Sequence, residues 1–231
     1  MEGAEIIFTL PILGIPVSET VVNTWIIMGV LTLFAIVSTR SLNRIPKGMQ
    51  NVAEAVVDLF NNFTADTMGE QQKGFSPYMG SLALLLLFAN LAGLFGLRPP
   101  TADLNTTFAL ATMTFLIIHL GGMKKKGIKG YLKNYIEPFP AMLPLNIIGE
   151  LAFPVSLAFR LFGNVVAGAL IITLLYGALQ SLSGMLGITI IPVFQAAIPI
   201  VFHLYFDLFS GVLQTFIFVM LSMVFISMAV E

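Results

Sequence analysis

Arg160 is the charged residue with the most unusual surroundings, because it lies inside the apolar segment PVSLAFRLFGNVVAGALIITLL. No Asp, Glu, Lys or Arg follows it until Asp207. Arginine keeps its charge, and a charge at the centre of a bilayer costs about 2.5–3.5 kcal/mol on insertion scales. Arg160 therefore needs an opposite charge or a water-filled cavity, unless it snorkels to the interface from a helix end. The long apolar sequence after it favours a functional role.

Polar side chains share the helical face of Arg160. At about 100° per residue, Asn164 falls about 40° from Arg160. Asn146 and Glu150 fall on the same side if the helix continues through Pro154. Small residues that would let another helix approach closely lie nearby: Gly163, Ala167, Gly168 and Ala169.

A second polar stripe lies further along the chain. His203, Asp207, Ser210 and Gln214 have the spacing i, i+4, i+7 and i+11, which places them within about 60° of one another on a helix. A hydrogen-bonded clasp between helices would account for Ser210 and Gln214. It accounts poorly for Asp207, because a buried carboxylate is costly without a partner or a proton. A carboxylate beside a histidine inside a membrane suggests a proton relay.

The elements that must position these residues are apolar helices. Of the 231 residues, 57% are hydrophobic and 10% are charged, against about 25% charged in soluble proteins, which excludes a soluble enzyme. A helix spans a bilayer with about 20 apolar residues. We therefore expect an all-α polytopic membrane protein with a single membrane domain over residues 1–231. The predicted spans cover 21–38, 77–97, 104–122, 139–180 and 188–230.

The last two apolar regions are about twice the length that a span needs. We expect them to be strongly tilted, broken or partly outside the lipid, and to form a hairpin that turns at residues 181–187. Prolines at 144, 154, 192 and 199 are the expected break points. Between the first two spans, the apolar residues of 47–66 recur at helical spacing and the polar residues occupy another face. This pattern predicts an amphipathic helix on the cytoplasmic surface or against a neighbouring helix.

The basic residues predict the orientation in the membrane. Nine of the eleven fall on one side: Arg40, Arg44, Lys47, Lys73, Lys124, Lys125, Lys126, Lys129 and Lys133. By the positive-inside rule the N-terminus is outside and the C-terminus is cytoplasmic. The first residues are acidic and contain prolines, unlike a signal peptide. We expect the bacterial plasma membrane as the location.

Several functions are disfavoured by what the sequence lacks. The net charge of −1 gives no basic surface for nucleic acid. There is no cysteine, and the two histidines, His119 and His203, are too few for most metal sites. No phosphate-binding loop occurs, because Ile128 stands where such a loop requires lysine. We therefore expect no cofactor, no metal and no catalytic turnover by this chain alone.

Three segments together resemble subunit a of the F-type rotary ATP synthase: PVSLAFRLFGNVVAG (154–168), FANLAGLFGLRPPTADLNTT (88–107) and LQTFIFVMLSMVFISMA (213–229). The resemblance implies an ion-conducting stator subunit that works with a ring of c subunits, a b-subunit stalk and the remaining subunits of the synthase. Ions would reach the ring carboxylates through two aqueous half-channels.

The resemblance also implies roles for single residues. Arg160 would separate the half-channels, Asn164 would assist it, and Gln214 would face it. Asp103 would stand at the outer mouth of the inlet, and Glu150 would line the exit.

One departure concerns the relay acid. Many members have glutamate nine residues after the arginine, where this chain has Ala169. Some members have histidine seven residues before the glutamine, where this chain has Asp207. The acid has therefore moved across the hairpin, with His203 one turn away.

Two alternatives remain open at this point. The first is a small polytopic transporter that binds an anionic substrate at Arg160. The second is a membrane scaffold whose polar stripes serve only as packing clasps. Whether the transported ion would be H⁺ or Na⁺ depends largely on the ring, which is a separate chain.

Overall fold

The computed structural model describes residues 5–9, 14, 16–40, 42–136, 139–185 and 193–230. Seven α-helices make up most of this part of the chain: α1 (Glu19–Thr39), α2 (Met49–Met68), α3 (Ser76–Leu91), α4 (Leu104–Asn134), α5 (Leu143–Met185), α6 (Val193–His203) and α7 (Ser210–Val230). A short antiparallel hairpin of β1 (Ile6–Thr9) and β2 (Pro16–Ser18) precedes them.

Five helical stretches of the described residues are long and apolar enough to cross a membrane: Glu19–Thr39, Glu70–Phe95, Leu104–Tyr131, Pro140–Met185 and Ile198–Val230. The remaining long helix is α2. This arrangement confirms the prediction of an all-α polytopic membrane protein with five membrane-embedded regions and one further helix.

The core lies where α3, α4, α5 and α7 meet. It is built from fully buried apolar side chains, among them Met79, Leu86, Leu157, Leu161, Phe218 and Met223. Helix α2 packs on this core through Phe60, whose ring lies against Gly80, and through Phe63, whose ring stacks on Phe216 at 5.7 Å. The amphipathic pattern of α2 thus serves packing against neighbouring helices. Many large apolar side chains outside the core are exposed, as expected for surfaces that face lipid.

Helix α4 extends beyond the span predicted to end at residue 122. The lysine-rich segment continues as helix, interrupted by one non-helical residue, Gly127, with φ +73°. Lysine is a good helix former, and glycine is the residue that takes positive φ without strain. The bend at Gly127 brings Tyr131 against Gly122, where an added Cβ would lie 2.6 Å from the tyrosine ring.

Helix α5 is continuous over 43 residues and contains Pro154 without a break. Residues 181–185, which the sequence assigns to the turn, are also helical. The Ser181 hydroxyl donates to the carbonyl oxygen of Gly177, which satisfies this polar group within the helix. The rest of the predicted turn, and residues 188–192 of the fifth region, lie outside the described residues.

Candidate functional site

A π-helical segment, Leu204–Phe209, joins α6 to α7 and contains Asp207. A π-turn has about one residue more than an α-turn, and such segments are frequent at functional sites. The spacing of the polar stripe predicts a uniform α-helix, and this prediction is wrong. The extra residue separates His203 and Asp207, on one side, from Ser210 and Gln214, which belong to α7.

His203, Asp207 and Tyr176 form a polar group that we call the Asp207 cluster. The imidazole Nδ1 of His203 lies 2.6 Å from Oδ2 of Asp207. The Tyr176 hydroxyl of α5 lies 3.5 Å from Nε2 of the same ring. Both members of the close pair are half-buried. The structure therefore places a carboxylate, an imidazole and a phenol within proton-transfer reach.

Helices α5 and α7 are joined by a reciprocal pair of hydrogen bonds. Asn164 Nδ2 donates to Ser210 Oγ at 2.7 Å, and Ser210 Oγ donates to Asn164 Oδ1 at 2.9 Å. One turn away, a Cβ at Gly168 would lie 3.3 Å from the Phe206 side chain, so the glycine permits this close approach. Positions increase on α5 as they decrease on α7, so the two helices are antiparallel.

This register places Arg160 and Gln214 at the same level, because each stands one turn beyond the Asn164–Ser210 pair. Gln214 is only 6% exposed, and its Nε2 has no hydrogen-bond partner in the described part of the chain. Arg160 is exposed, and it makes no hydrogen bond or ion pair with any described residue. The structure brings the two residues to one level, and neither side chain has a polar partner among the described residues.

The exposure of Arg160 follows from the way α5 packs. Leu157, Ala158 and Leu161 point into the core and are at most 1% exposed. Phe159 and Gly163 are exposed beside Arg160. Arg160 therefore belongs to an open face of α5, which is covered by no described part of this chain.

Glu150 lies in a second polar group, which we call the Glu150 cluster, together with His119, Tyr131 and Tyr135. Glu150 Oε2 lies 3.9 Å from His119 Nε2, and the Tyr135 hydroxyl lies 3.3 Å from that same nitrogen. The hydroxyls of Tyr131 and Tyr135 are 3.2 Å apart. Asn146, which the sequence analysis placed on the arginine face, donates from Nδ2 to the carbonyl oxygen of Tyr135 at 2.9 Å.

A partly open cavity of about 650 Å³ adjoins the Glu150 cluster. Its polar lining includes Lys126, Tyr131, Tyr135, Asn146 and Glu150. Burial raises the pKa of Tyr135, and so do its hydrogen bond with Tyr131 and the charge of Glu150. This phenol therefore remains a neutral hydrogen-bond donor at physiological pH.

Sequence reasoning named Glu150 but missed His119, Tyr131 and Tyr135 as its neighbours. The tyrosines reach the site only because the chain bends at Gly127, and positive φ at one glycine leaves no periodic signal in a sequence. The run KKKGIKG in a predicted basic loop was the only sign of such a turn.

Asp103 lies apart from both clusters. Its Oδ2 accepts a hydrogen bond from Thr20 Oγ1 at 2.9 Å, and its Oδ1 accepts one from the backbone N–H of Asn105 at 2.9 Å. These bonds fix the start of α4 to the start of α1. In this structure Asp103 has a positioning role at the helix ends.

The two clusters lie on opposite sides of Arg160 along α5. Glu150 precedes Arg160 by ten residues and Tyr176 follows it by sixteen, which correspond to about 15 Å and about 24 Å at a rise of about 1.5 Å per residue. The described residues contain no group of three or more His, Cys, Asp or Glu side chains that could hold a metal ion. The arrangement suits ion transfer past a fixed positive charge.

Comparison with known proteins gives a consistent result. The family model described as "ATP synthase A chain" matches residues 21–227. The sodium-ion-specific ATP synthase subunit a of Propionigenium modestum is 36% identical, over 92% of this chain and 74% of the relative. ATP synthase subunit a of Moorella thermoacetica is 35% identical, over 92% and 91%. ATP synthase subunit a 2 of Acaryochloris marina is 36% identical, over 92% and 85%. This chain therefore belongs to the ATP synthase A chain family.

Proposed function

We propose that this protein is the ion-translocating stator subunit of a rotary ATP synthase. Two aqueous half-channels lead to the carboxylates of the c-ring, and Arg160 separates them. The flow of H⁺ or Na⁺ between the half-channels is thereby coupled to rotation of the ring and to ATP synthesis. The observation that carries this proposal is the exposed Arg160 in the middle of a continuous apolar helix, where no described residue offers it a polar partner.

An arginine in this position needs a negative partner from outside the chain, and a ring carboxylate has the required charge. At 4 Å and an effective dielectric constant of about 20, the attraction is about 4 kcal/mol. That energy favours the ionised form of the carboxylate. A ring carboxylate approaching Arg160 must therefore release its ion, and it can bind another only after it has passed.

The two clusters supply the routes on either side. The Asp207 cluster serves the outer half-channel. Asp207 takes the place of the glutamate that many family members have at the position of Ala169. The cavity beside the Glu150 cluster serves the cytoplasmic half-channel, next to the lysine-rich end of α4. The positive-inside rule then places the N-terminus outside and the C-terminus in the cytoplasm.

The partners follow from this function. The open face of α5 contacts the c-ring, and the b-subunit stalk and the remaining subunits hold the chain against the rotation of the ring. In this proposal the catalytic sites for ATP lie on other subunits of the complex. A transporter would have to enclose its own substrate site, whereas Arg160 faces outward, which favours the stator over that alternative.

The test is ATP-driven ion uptake by inverted membrane vesicles that contain the assembled complex. Arg160→Ala should abolish uptake while the complex stays assembled, because no charge then separates the half-channels. Arg44→Ala is the matched control, since it removes an exposed arginine of the basic segment and should leave uptake intact. Normal uptake in the Arg160→Ala vesicles would overturn the proposal.

A further inference from the structure

We propose that His119 sets the charge that Glu150 presents to the cavity, and that it thereby gives ion passage through this cavity a dependence on cytoplasmic pH. The proposal rests on the function proposed above and adds a positioning residue to it. It is carried by the geometry around the imidazole ring and by the cavity beside it.

The ring of His119 is held in one orientation. Its Nδ1 lies 2.9 Å from the carbonyl oxygen of Phe115, one turn earlier in α4. A carbonyl oxygen only accepts hydrogen bonds, so Nδ1 carries the hydrogen. The ring also packs on Phe115, with 3.9 Å between the ring centroids. The remaining nitrogen, Nε2, is therefore the atom that can gain or lose a proton.

Nε2 faces two groups whose interaction with it depends on that proton. In the neutral ring it accepts a hydrogen bond from the Tyr135 hydroxyl at 3.3 Å. In the protonated ring it becomes a donor, and Glu150 Oε2 at 3.9 Å is the nearby anion. Protonation thus turns a tyrosine–histidine hydrogen bond into a histidine–glutamate ion pair.

The surroundings contain few other charges that could override this change. The groups that face His119 are Glu150 from α5 and Tyr131 and Tyr135 from the end of α4, and Lys126 lines the same cavity. Helix α7 contributes only apolar side chains to the lining, namely Phe225, Met228 and Ala229. Of the groups named here, His119 is the one whose side-chain type gains or loses its charge near neutral pH.

The cavity is large enough for this charge to act on a passing ion. One water needs about 10–15 Å³ of such space, so about 650 Å³ holds many waters. With His119 neutral, the carboxylate of Glu150 attracts cations into the cavity. With His119 protonated, the pair has no net charge and this attraction is lost. The effect applies to H⁺ and Na⁺ alike.

The experiment measures the initial rate of ATP-driven ion uptake in inverted vesicles, in which the cavity faces the medium. The medium is set at values from about pH 5.5 to pH 8, because the histidine side chain changes its charge between about pH 5 and pH 8. The ratio of the His119→Gln rate to the wild-type rate is taken at each pH, because pH effects on the catalytic sector then cancel. This ratio should rise by about threefold or more toward pH 5.5, since only the wild type loses its cation attraction.

Two further variants decide between the possible results. Glu150→Gln should also lack the acid-side fall in rate, because no carboxylate remains to be neutralised. Lys125→Gln changes an exposed residue in the lysine-rich part of α4. Its rate relative to the wild type should not vary with pH. A flat ratio for His119→Gln, or an acid-side fall that persists in Glu150→Gln, would overturn this inference. Normal uptake in Arg160→Ala would instead overturn the proposed function.

Discussion

The Asp207 cluster and the Glu150 cluster contain the same three kinds of chemical group in different arrangements. Each has an imidazole and a carboxylate, with one phenol in the Asp207 cluster and two in the Glu150 cluster. In the Asp207 cluster the imidazole and the carboxylate come from one helical turn and lie 2.6 Å apart. In the Glu150 cluster they come from α4 and α5 and lie 3.9 Å apart, beside a cavity of about 650 Å³.

Under the proposed function, this difference predicts two ways of moving an ion through the protein. Close contact within one helix favours direct proton transfer between named atoms, which requires each member of the pair. A wide cavity lets water carry the ion, and its charged residues then act by attraction at a distance. We therefore expect the Asp207 cluster to be sensitive to loss of a single group and the Glu150 cluster to be more tolerant.

The largest difference should come from neutralising the two carboxylates. Asp207→Asn should lower ATP-driven uptake by about 10²-fold or more, because an amide cannot take up and release a proton and positioned proton-transfer groups contribute about that much. Glu150→Gln at neutral pH should cost less, since water in the cavity keeps a route open. Initial uptake rates per assembled complex provide the measurement. A greater loss in Glu150→Gln than in Asp207→Asn would break the comparison.

A smaller effect is expected at the contact between α5 and α7, which lies between Arg160 and the Asp207 cluster along α5. Asn164 and Ser210 hydrogen-bond to each other in both directions. A hydrogen bond between membrane helices contributes about 0.6 kcal/mol on average. This free energy corresponds to about threefold in the equilibrium constant for the contact between the two helices. Asn164→Ala, Ser210→Ala and the double variant should therefore lower uptake by the same amount. If the double variant lost the product of the two single effects, the residues would be acting separately.

The sequence was sufficient for the parts that depend on periodicity and hydropathy. Five apolar regions and one amphipathic segment could be located, because lipid requires long apolar helices. Arg160 could be singled out, because a permanent charge in apolar sequence is rare. The motif around it also indicated the family, which the comparisons confirm.

Features that depend on backbone irregularity could not be predicted. The π-helical segment at 204–209 rotates Ser210 and Gln214 away from the positions that a uniform helix gives them. The bend at Gly127 returns Tyr131 and Tyr135 toward His119. Neither feature produces a periodic signal in the sequence. The roles of the individual site residues remain predictions.

Under the proposed function, water reaches the two clusters from opposite sides of the membrane. The chain has no cysteine, so single cysteines can be labelled with a membrane-impermeant thiol reagent without background from this subunit. Gly149→Cys lines the cavity, and an added Cβ there meets nothing within 4 Å. Tyr176→Cys replaces the phenol that reaches His203.

Labelling is compared in inverted and right-side-out vesicles that contain the assembled complex. We expect the cysteine at position 149 to react only from the cytoplasmic side and the cysteine at position 176 only from the outer side. Reaction of both cysteines from the same side, or of neither from any side, would contradict this expectation.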